Sequence, residues 1–355
     1  MHVLLTCAGR RNYLVGYFQS ALQGKGLVIA VDSNIEAPAL QAADRALLVP
    51  PITQENYIDA LVSICQEYQV KLLIPSHDLE LPLIATQRQR FLDVGTIPLI
   101  SSANVIETCF DKLATSKFLA NCGLAVPRTY STLSEAKTAI RNKQLMFPVV
   151  IKPRWGTSSI EMQYAADQEE LELTYQLVKK RLSQSCLAQI SATDPQRCIL
   201  IQEKLHGDEY GLDIVNNLAQ QYQCSFVKHK LRMRAGQTDR AVTVNSEPLT
   251  KIGEIIGKNL SHVGNLDCDI FVTPDNYYVL DLNPRIGYGY PYSHIAGANL
   301  PAALVAWAAG EEPLDDEWQS IQPNIMVARY DSLITIKSAS HIVTEVIPAS
   351  ILLSS

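Results

Sequence analysis

Through the first hundred residues, short apolar runs alternate with amphipathic stretches. HVLLT (2–6), LVIAV (27–31), RALLV (45–49), KLLIP (71–75) and IPLIS (97–101) read as strands. Between them, NYLVGYFQSAL, the stretch carrying Ile58, Leu61, Val62 and Cys65, and residues 80–91 carry helical periodicity. Strands separated by helices predict a parallel, doubly wound sheet. Such sheets place ligands beyond the carboxyl ends of their strands, where Gly9, Arg10, Asp32 and Asp78 fall.

The pattern changes after residue 110. DKLATSKFLANCG (111–123) predicts a helix stopped by Gly123, with Pro127 beyond it. A helix near 133–143, the strand FPVVIK, the turn RWGTSS, the strand IEMQYA, a long helix over 167–190 and the strand CILIQEKL follow. GLDIVNN, CSFVKH, AVTVNS, LDCDIFVT and YYVLDLN then predict an antiparallel sheet, interrupted by one helix near 249–262. A helix near 298–309 and the strand-like pieces NIMVARY and LITIK complete the chain. The fold class is therefore α/β followed by α+β.

Composition narrows the function classes. The 355 residues are 47% apolar and 19% charged, an ordinary globular balance. A net charge of −6 disfavours non-specific nucleic-acid binding. No apolar run reaches a membrane-spanning length, and the arginines of MHVLLTCAGRR follow the apolar run where a secretory signal has them before it. The eight cysteines form no CxxC pair and read as reduced thiols of a cytoplasmic protein.

Four features carry candidate chemistry. Lys112 begins a helix and Lys152 ends an apolar strand; both are suited to neutralise phosphate oxygens as point charges. Arg154 to Ser159, including Gly156, Ser158 and Ser159, form a small-residue turn able to present backbone N–H groups to phosphates, although GxxxxGK[ST] is absent. The strand end Gln202-Glu203-Lys204-Leu205 offers backbone groups to an adenine edge, and Glu209 suits ribose hydroxyls. Finally, Asp269 and Asp281 lie on two strands of a hairpin turning at Pro274-Asp275-Asn276, with Asn283 on the same face as Asp281. Acids in apolar strands call for a compensating cation, and these oxygen donors suit Mg²⁺ bound with phosphates.

Taken in order, Lys112, FPVVIKPRWGTSS, IQEKLHGDE and DIF…YYVLDLNPR resemble the ATP-grasp superfamily. The branch they resemble is that of the carbamoyl-phosphate synthase large chain and the pyrrolysine-pathway ligase. TCAGRR, AVDSN with APAL, and IPSHDLEL resemble that branch's pre-ATP-grasp domain. The resemblance implies a pre-ATP-grasp domain over 1–110, the two parts of an ATP-grasp fold over 111–205 and 206–310, and an extension over 311–355. It implies ATP with Mg²⁺ or Mn²⁺ as cofactors. Lys112, Lys152 and the 154–159 loop would hold phosphates, Glu203 and Leu205 the adenine, and Glu209 the ribose. Asp269, Asp281 and Asn283 would hold the metal, and Arg285 would steady the transferred phosphoryl group. KHKLRMRAGQTDR resembles the larger loop, where Arg232, Arg234 and Arg240 can reach phosphate or a substrate carboxylate. The chain departs from the pattern at Glu161, where the small loop often carries a further glycine.

The implied reaction is ATP-dependent carboxylate–amine ligation through an acyl phosphate, on small-molecule substrates, with a homodimer admitted. Arg10 and Asp78 are expected to hold the carboxylate and ammonium of a zwitterionic substrate. Two alternatives are a non-catalytic nucleotide-binding module and a dinucleotide-dependent oxidoreductase. GxGxxG is absent, which speaks against the oxidoreductase, and a complete carbamoyl-phosphate synthase would need two ATP-grasp units.

Overall fold

A computed structural model describes residues 1–156, 160–313 and 316–336. The parallel sheet is present as the apolar runs predict. It is built from β1 (His2–Thr6), β2 (Val28–Asp32), β3 (Arg45–Leu48), β4 (Val70–Pro75) and β5 (Ile97–Pro98), in the order β3-β2-β1-β4-β5. α1 (Asn12–Leu22) and α2 (Pro38–Ala42) pack on one face; α3 (Tyr57–Glu67), α4 (Leu81–Thr86) and α5 (Arg88–Asp93) pack on the other. The strand order reverses between β1 and β4. The loops after these two strands, residues 7–11 and 76–80, therefore flank the crevice where such sheets bind partners.

α6 (Ala103–Phe110) and α7 (Lys112–Asn121) meet at Asp111. Its carboxylate accepts the Leu113 N–H at 2.9 Å and starts α7 at Lys112. A four-stranded sheet follows, ordered β6-β9-β7-β8. Its elements are β6 (Thr129–Tyr130), α8 (Leu133–Arg141), β7 (Val149–Pro153), β8 (Gln163–Ala165), α9 (Gln168–Leu182), α10 (Ala188–Ser191) and β9 (Ile199–Glu203). The single helix expected over 167–190 is two helices. Ser183 and Ser185 turn their hydroxyls onto the Lys180 and Leu182 carbonyls at 2.8 and 2.9 Å and end α9 there. The strand expected from Ile160 begins only at Gln163, because Glu161 takes a left-handed φ of 53°.

A six-stranded sheet, ordered β14-β13-β10-β11-β12-β15 with β15 at Met326–Ala328, forms the other wall. It comprises β10 (Asp208–Asn216), β11 (Tyr222–Arg234), β12 (Gln237–Thr243), β13 (Gly264–Val272) and β14 (Tyr277–Asn283), with α11 (Glu247–Leu260) packed against it. The hairpin expected at 274–276 joins β13 to β14. Neither α12 (Tyr290–Ile295) nor the break of residues 80–91 into α4 and α5 is legible in the apolar pattern. α13 (Leu300–Ala309) returns to pack on α1 and β4. One apolar core thus runs from Leu5, Leu14 and Phe18 to Val215, Phe226, Tyr290 and Leu304 and holds the two sheets together.

The segment expected as an extension from residue 311 is built into the fold. Trp318 joins the shared core, and β15 (Met326–Ala328) adds an edge strand to β12. Of LITIK, residues 333–336 form no regular element, and Lys337 lies outside the described residues. All eight cysteines are free thiols. Among the described residues, no helix is long and apolar enough to cross a membrane.

Candidate active site

β7, β8 and β9 face β10, β11, β13 and β14 across a cleft of about 450 Å³. Strand alternation decides what enters it. Val150 and Lys152 project from β7, and Lys228 and Lys230 from β11. Asp267 and Asp269 project from β13, and Asp281 and Asn283 from β14. Asp269 stands directly opposite Asp281, and Asp267 opposite Asn283. A bulge after Asp269 turns Leu280 into the cleft as well. Ile160, Met162, Leu205 and Phe271 supply apolar walls at the end bounded by Glu203 and Lys204.

Apart from Glu203, each carboxylate lining the cleft has a cation within 4 Å. Lys230 Nζ lies 2.5 Å from Asp269 Oδ1 and 2.7 Å from Glu209 Oε1. Burial opposes the Lys230 charge, but the two carboxylates outweigh it and raise its pKa. Lys112 Nζ donates to the Gly156 carbonyl at 2.8 Å and sits 3.5 Å from Asp281. At the floor of the cleft, Lys228 and Asp213 form a fully buried pair at 2.6 Å, joined by the Ser293 hydroxyl. Gly287 and Gly289 make this packing possible: a Cβ at either would lie under 3 Å from the Asp267 carboxylate or the Lys228 side chain.

Lys152 differs from the other lysines. Burial, helped by the neighbouring Lys112 and opposed by Asp281, pushes its pKa down to about 8. A depressed lysine pKa means that the cation is lost as pH rises through that value. We expect nucleotide affinity to weaken about tenfold between pH 7 and pH 9 as the protonated fraction falls. Nucleotide titrations of the wild type and of Lys152→Arg across that range check this. The arginine variant should show the flatter profile, and identical profiles would remove Lys152 from phosphate binding.

Arg285 follows β14 and turns toward the parallel sheet. Its Nε and Nη2 meet the two Asp78 carboxylate oxygens at 2.8 and 3.1 Å, and its Nη1 lies 3.4 Å from Asp267. Burial disfavours the charge, yet Asp78 and Asp267 together raise the Arg285 pKa. One residue ahead of α1, Arg11 reaches across the same boundary. It donates to the Ser76 and Ile286 carbonyls at 2.8 and 2.9 Å and lies 4.0 Å from the centre of the Tyr288 ring.

Lys112, Lys152, Gly156, Glu203, Leu205, Glu209, Asp269, Asp281, Asn283 and Arg285 all line this one cleft. Ser158 and Ser159 lie outside the described residues. Arg154, expected at phosphates, is instead held away from the cleft. Asp111 takes two of its N–H groups at 2.8 and 2.6 Å, and Asp194 takes a third at 2.9 Å. The Glu203 carboxylate accepts the Arg128 N–H at 2.7 Å. The Asp78 carboxylate, expected at a substrate ammonium, meets the Arg285 guanidinium at 2.8 and 3.1 Å. Arg10 is exposed, 3.9 Å from Asp331, and the buried arginine of that loop is Arg11. Arg240 is exposed on β12, paired with Arg232 on one side and Ala328 on the other, and does not line the cleft.

Sequence reasoning missed Lys228, Lys230, Asp267 and Arg11. Lys228/Lys230 and Asp267/Asp269 each repeat at spacing two, the same signal that exposed Asp281 and Asn283.

The site contains hard oxygen donors that fit a divalent cation. Asp269 and Asp281 supply carboxylates. The Asn283 amide donates its N–H to the Asp267 carbonyl at 3.4 Å, which turns its oxygen outward. Among the described residues, no three His, Cys, Asp or Glu side chains form a metal cluster. A set of two acids and one amide suits Mg²⁺ that completes its shell with phosphate oxygens and water.

An α/β domain and two sheets facing each other across a cleft of lysines and carboxylates define an architecture suited to a nucleotide. The chain belongs to the ATP-grasp family: residues 109–288 match the ATP-grasp domain, and residues 3–100 match the PylC-like N-terminal domain. It is an ATP-dependent ligase, and enzymes of this family use ATP and Mg²⁺. It is 23% identical over 304 residues to the formate-dependent phosphoribosylglycinamide formyltransferase of Synechococcus sp. (strain RCC307), covering 80% of this chain and 75% of that protein. It is 27% identical over 214 residues to the D-alanine–D-alanine ligase of Streptococcus thermophilus (strain CNRZ 1066), covering 56% of this chain and 59% of that enzyme. The biotin carboxylase domain of Hydrogenobacter thermophilus 2-oxoglutarate carboxylase, solved with MgADP and bicarbonate, superimposes with a TM-score of 0.71 at 16% identity. That match covers 92% of this chain and 73% of that one.

Proposed function

We propose that this chain is a carboxylate–amine ligase that activates a small carboxylic acid with Mg·ATP and transfers the acyl group to an amine. The observation carrying the reading is the convergence of Lys112, Lys152, Arg285 and the Asp269–Asp281–Asn283 oxygens on one cleft with an apolar end at Leu205. In the first step a substrate carboxylate oxygen attacks the γ-phosphorus, the bond to the bridging oxygen breaks, and ADP leaves. In the second step the amine nitrogen attacks the acyl carbon, phosphate departs and the nitrogen loses a proton. The protein's work is positioning and charge stabilisation, so no side-chain nucleophile is required.

Asp269, Asp281 and Asn283 would hold Mg²⁺, which screens phosphate charge when bound. Lys112 and Lys152 would meet phosphates, Glu203 and Leu205 the adenine, and Glu209 the ribose. Arg285 would steady the phosphoryl group in transfer. The family relationship to a D-alanine–D-alanine ligase supports amino acids or similar molecules as substrates. The oxidoreductase alternative loses support, because the chain matches the ATP-grasp domain over residues 109–288.

The test is an ADP-release screen with Mg·ATP and pairs of amino acids and small carboxylates, with products identified by mass spectrometry. Acceptor-dependent ADP release with a new amide is expected. Tight Mg·ATP binding with no ADP release from any pair would favour the non-catalytic module instead.

A further inference from the structure

A second cavity, of about 700 Å³, lies between the parallel sheet's β1–α1 loop, the β11–β12 hairpin and the segment after β15. It shares Gln237, Thr238 and Tyr288 with the cleft proposed for the nucleotide, so the two spaces adjoin. Its charges are unevenly answered. Asp239 is 3.1 Å from Arg234, and Asp331 lies between Arg234 and Arg10 at 3.3 and 3.9 Å.

Arg329, in the cavity wall, is held differently. Its guanidinium donates to the Gln237 side-chain oxygen and, at 2.9 Å, to the Tyr288 carbonyl, both neutral. Arg11, whose guanidinium donates to the Ser76 and Ile286 carbonyls and neighbours the Tyr13 hydroxyl, lies 4.0 Å from the Tyr288 ring centre, and Arg329 lies 6.0 Å from it. Tyr13 lines the same wall; its buried hydroxyl sits beside the Arg11 guanidinium, which can only donate to it, and its own O–H meets no acceptor among the described residues. Burial raises the Tyr13 pKa, which keeps it a neutral donor. Arg11 is buried and Arg329 partly so, and neither has a carboxylate within 4 Å among the described residues; a buried cation without counter-charge and an unused buried donor are costly unless an anion answers them.

We propose that this cavity binds an acid group of the organic substrates, other than the carboxylate that is activated, on the Arg329 guanidinium and the Tyr13 hydroxyl. Calling the ligand a substrate rests on the ligase reading above; the anion site itself does not. A guanidinium already fixed by two hydrogen bonds offers its remaining N–H groups in a set orientation, which suits a carboxylate. Its position at the end of β15 sets it there, since the Arg329 N–H donates to the Asp239 carbonyl at 2.8 Å. The second acid group can belong to an amino-acid acceptor or to a diacid donor.

The experiment compares matched substrates in the ADP-release assay. One arm sets amino-acid acceptors against the corresponding decarboxylated amines, and the other sets dicarboxylic donors against their mono-amides. The wild type should prefer the acid-bearing member at least tenfold in kcat/KM in one arm, and that arm names the source. Tyr13→Phe and Arg329→Gln should raise the KM of that substrate about tenfold, leave the KM for ATP within twofold, and erase the preference for its acid group. Arg329→Lys should restore part of it. Tyr13→Phe removes one oxygen from the core, so its fold is preserved. Equal use of acid and neutral members by the wild type, or an unchanged preference in both variants, overturns the proposal.

If no pair releases ADP, the ligase reading fails by itself. Calorimetry with amino acids and dicarboxylates then decides the site. Binding lost in both variants supports it, and no binding to the wild type overturns it.

Discussion

Asp281→Asn is expected to lower ADP release by about a hundredfold or more, with the melting temperature nearly unchanged. Asp281 faces Asp269 across the β13–β14 pair and lies 3.5 Å from Lys112. Its side chain is a quarter exposed, so an isosteric amide costs the fold little. The loss falls on the charge that would bind Mg²⁺ and set the position of Lys112 against the phosphates. Steady-state ADP release and a thermal melt on the same preparation check both halves. Activity near the wild-type level at ordinary Mg²⁺ would take Asp281 out of the metal site.

Asp78→Asn is expected to act on stability and turnover together. Asp78 and Arg285 are 207 residues apart in sequence, yet they share a bidentate contact with both side chains under 10% exposed. Removing one partner of a buried ion pair commonly costs about 3–5 kcal/mol. Asp267, 3.4 Å from the same guanidinium, should hold the loss near the lower end of that range. The guanidinium that remains is aimed by the Asp267 carboxylate and the Ile286 carbonyl, both through Nη1, so ADP release should fall even at a temperature where the variant is folded. Denaturant unfolding gives the first quantity and the assay at low temperature gives the second. A variant with wild-type midpoint and turnover would show that the pair neither stabilises the domain boundary nor positions Arg285. Either outcome also bears on the expectation that Asp78 holds a substrate ammonium, because here its carboxylate already has a cation.

Much of the cleft was legible because its determinants are local. Alternation in YYVLDLN puts Asp281 and Asn283 on one face, and the turn at 274–276 brings Asp269 opposite Asp281 with no distant contact needed. The same alternation carries Lys228 with Lys230 and Asp267 with Asp269. These were overlooked because lysines on a long strand read equally well as a solvated face. Glu161 is a further local case: the family pattern calls for glycine, and the chain keeps the left-handed backbone without it, at φ 53°.

Arg10 and Arg154 mark where local reading ended. In the loop after β1, Cys7 and Gly9 take positive φ values of 46° and 48°. That turn sends Arg11 into the boundary and leaves Arg10 in solvent, a choice no periodicity encodes. Arg154 continues the alternation of Lys152, but the strand stops at Pro153, and the Asp111 and Asp194 carboxylates capture the guanidinium.

The sequence by itself determined the parallel sheet, the long antiparallel strands and the acidic face of the β13–β14 hairpin. Each follows from side-chain period and turn chemistry within a few residues. Only the tertiary structure decided that Asp78 meets Arg285, that Lys230 answers both Glu209 and Asp269, and that β15 carries Arg329 to the wall of a second cavity. A charged side chain's partner is whichever opposite charge the packed layers bring within about 4 Å, and here the layers are joined by a core running from β1 through α13.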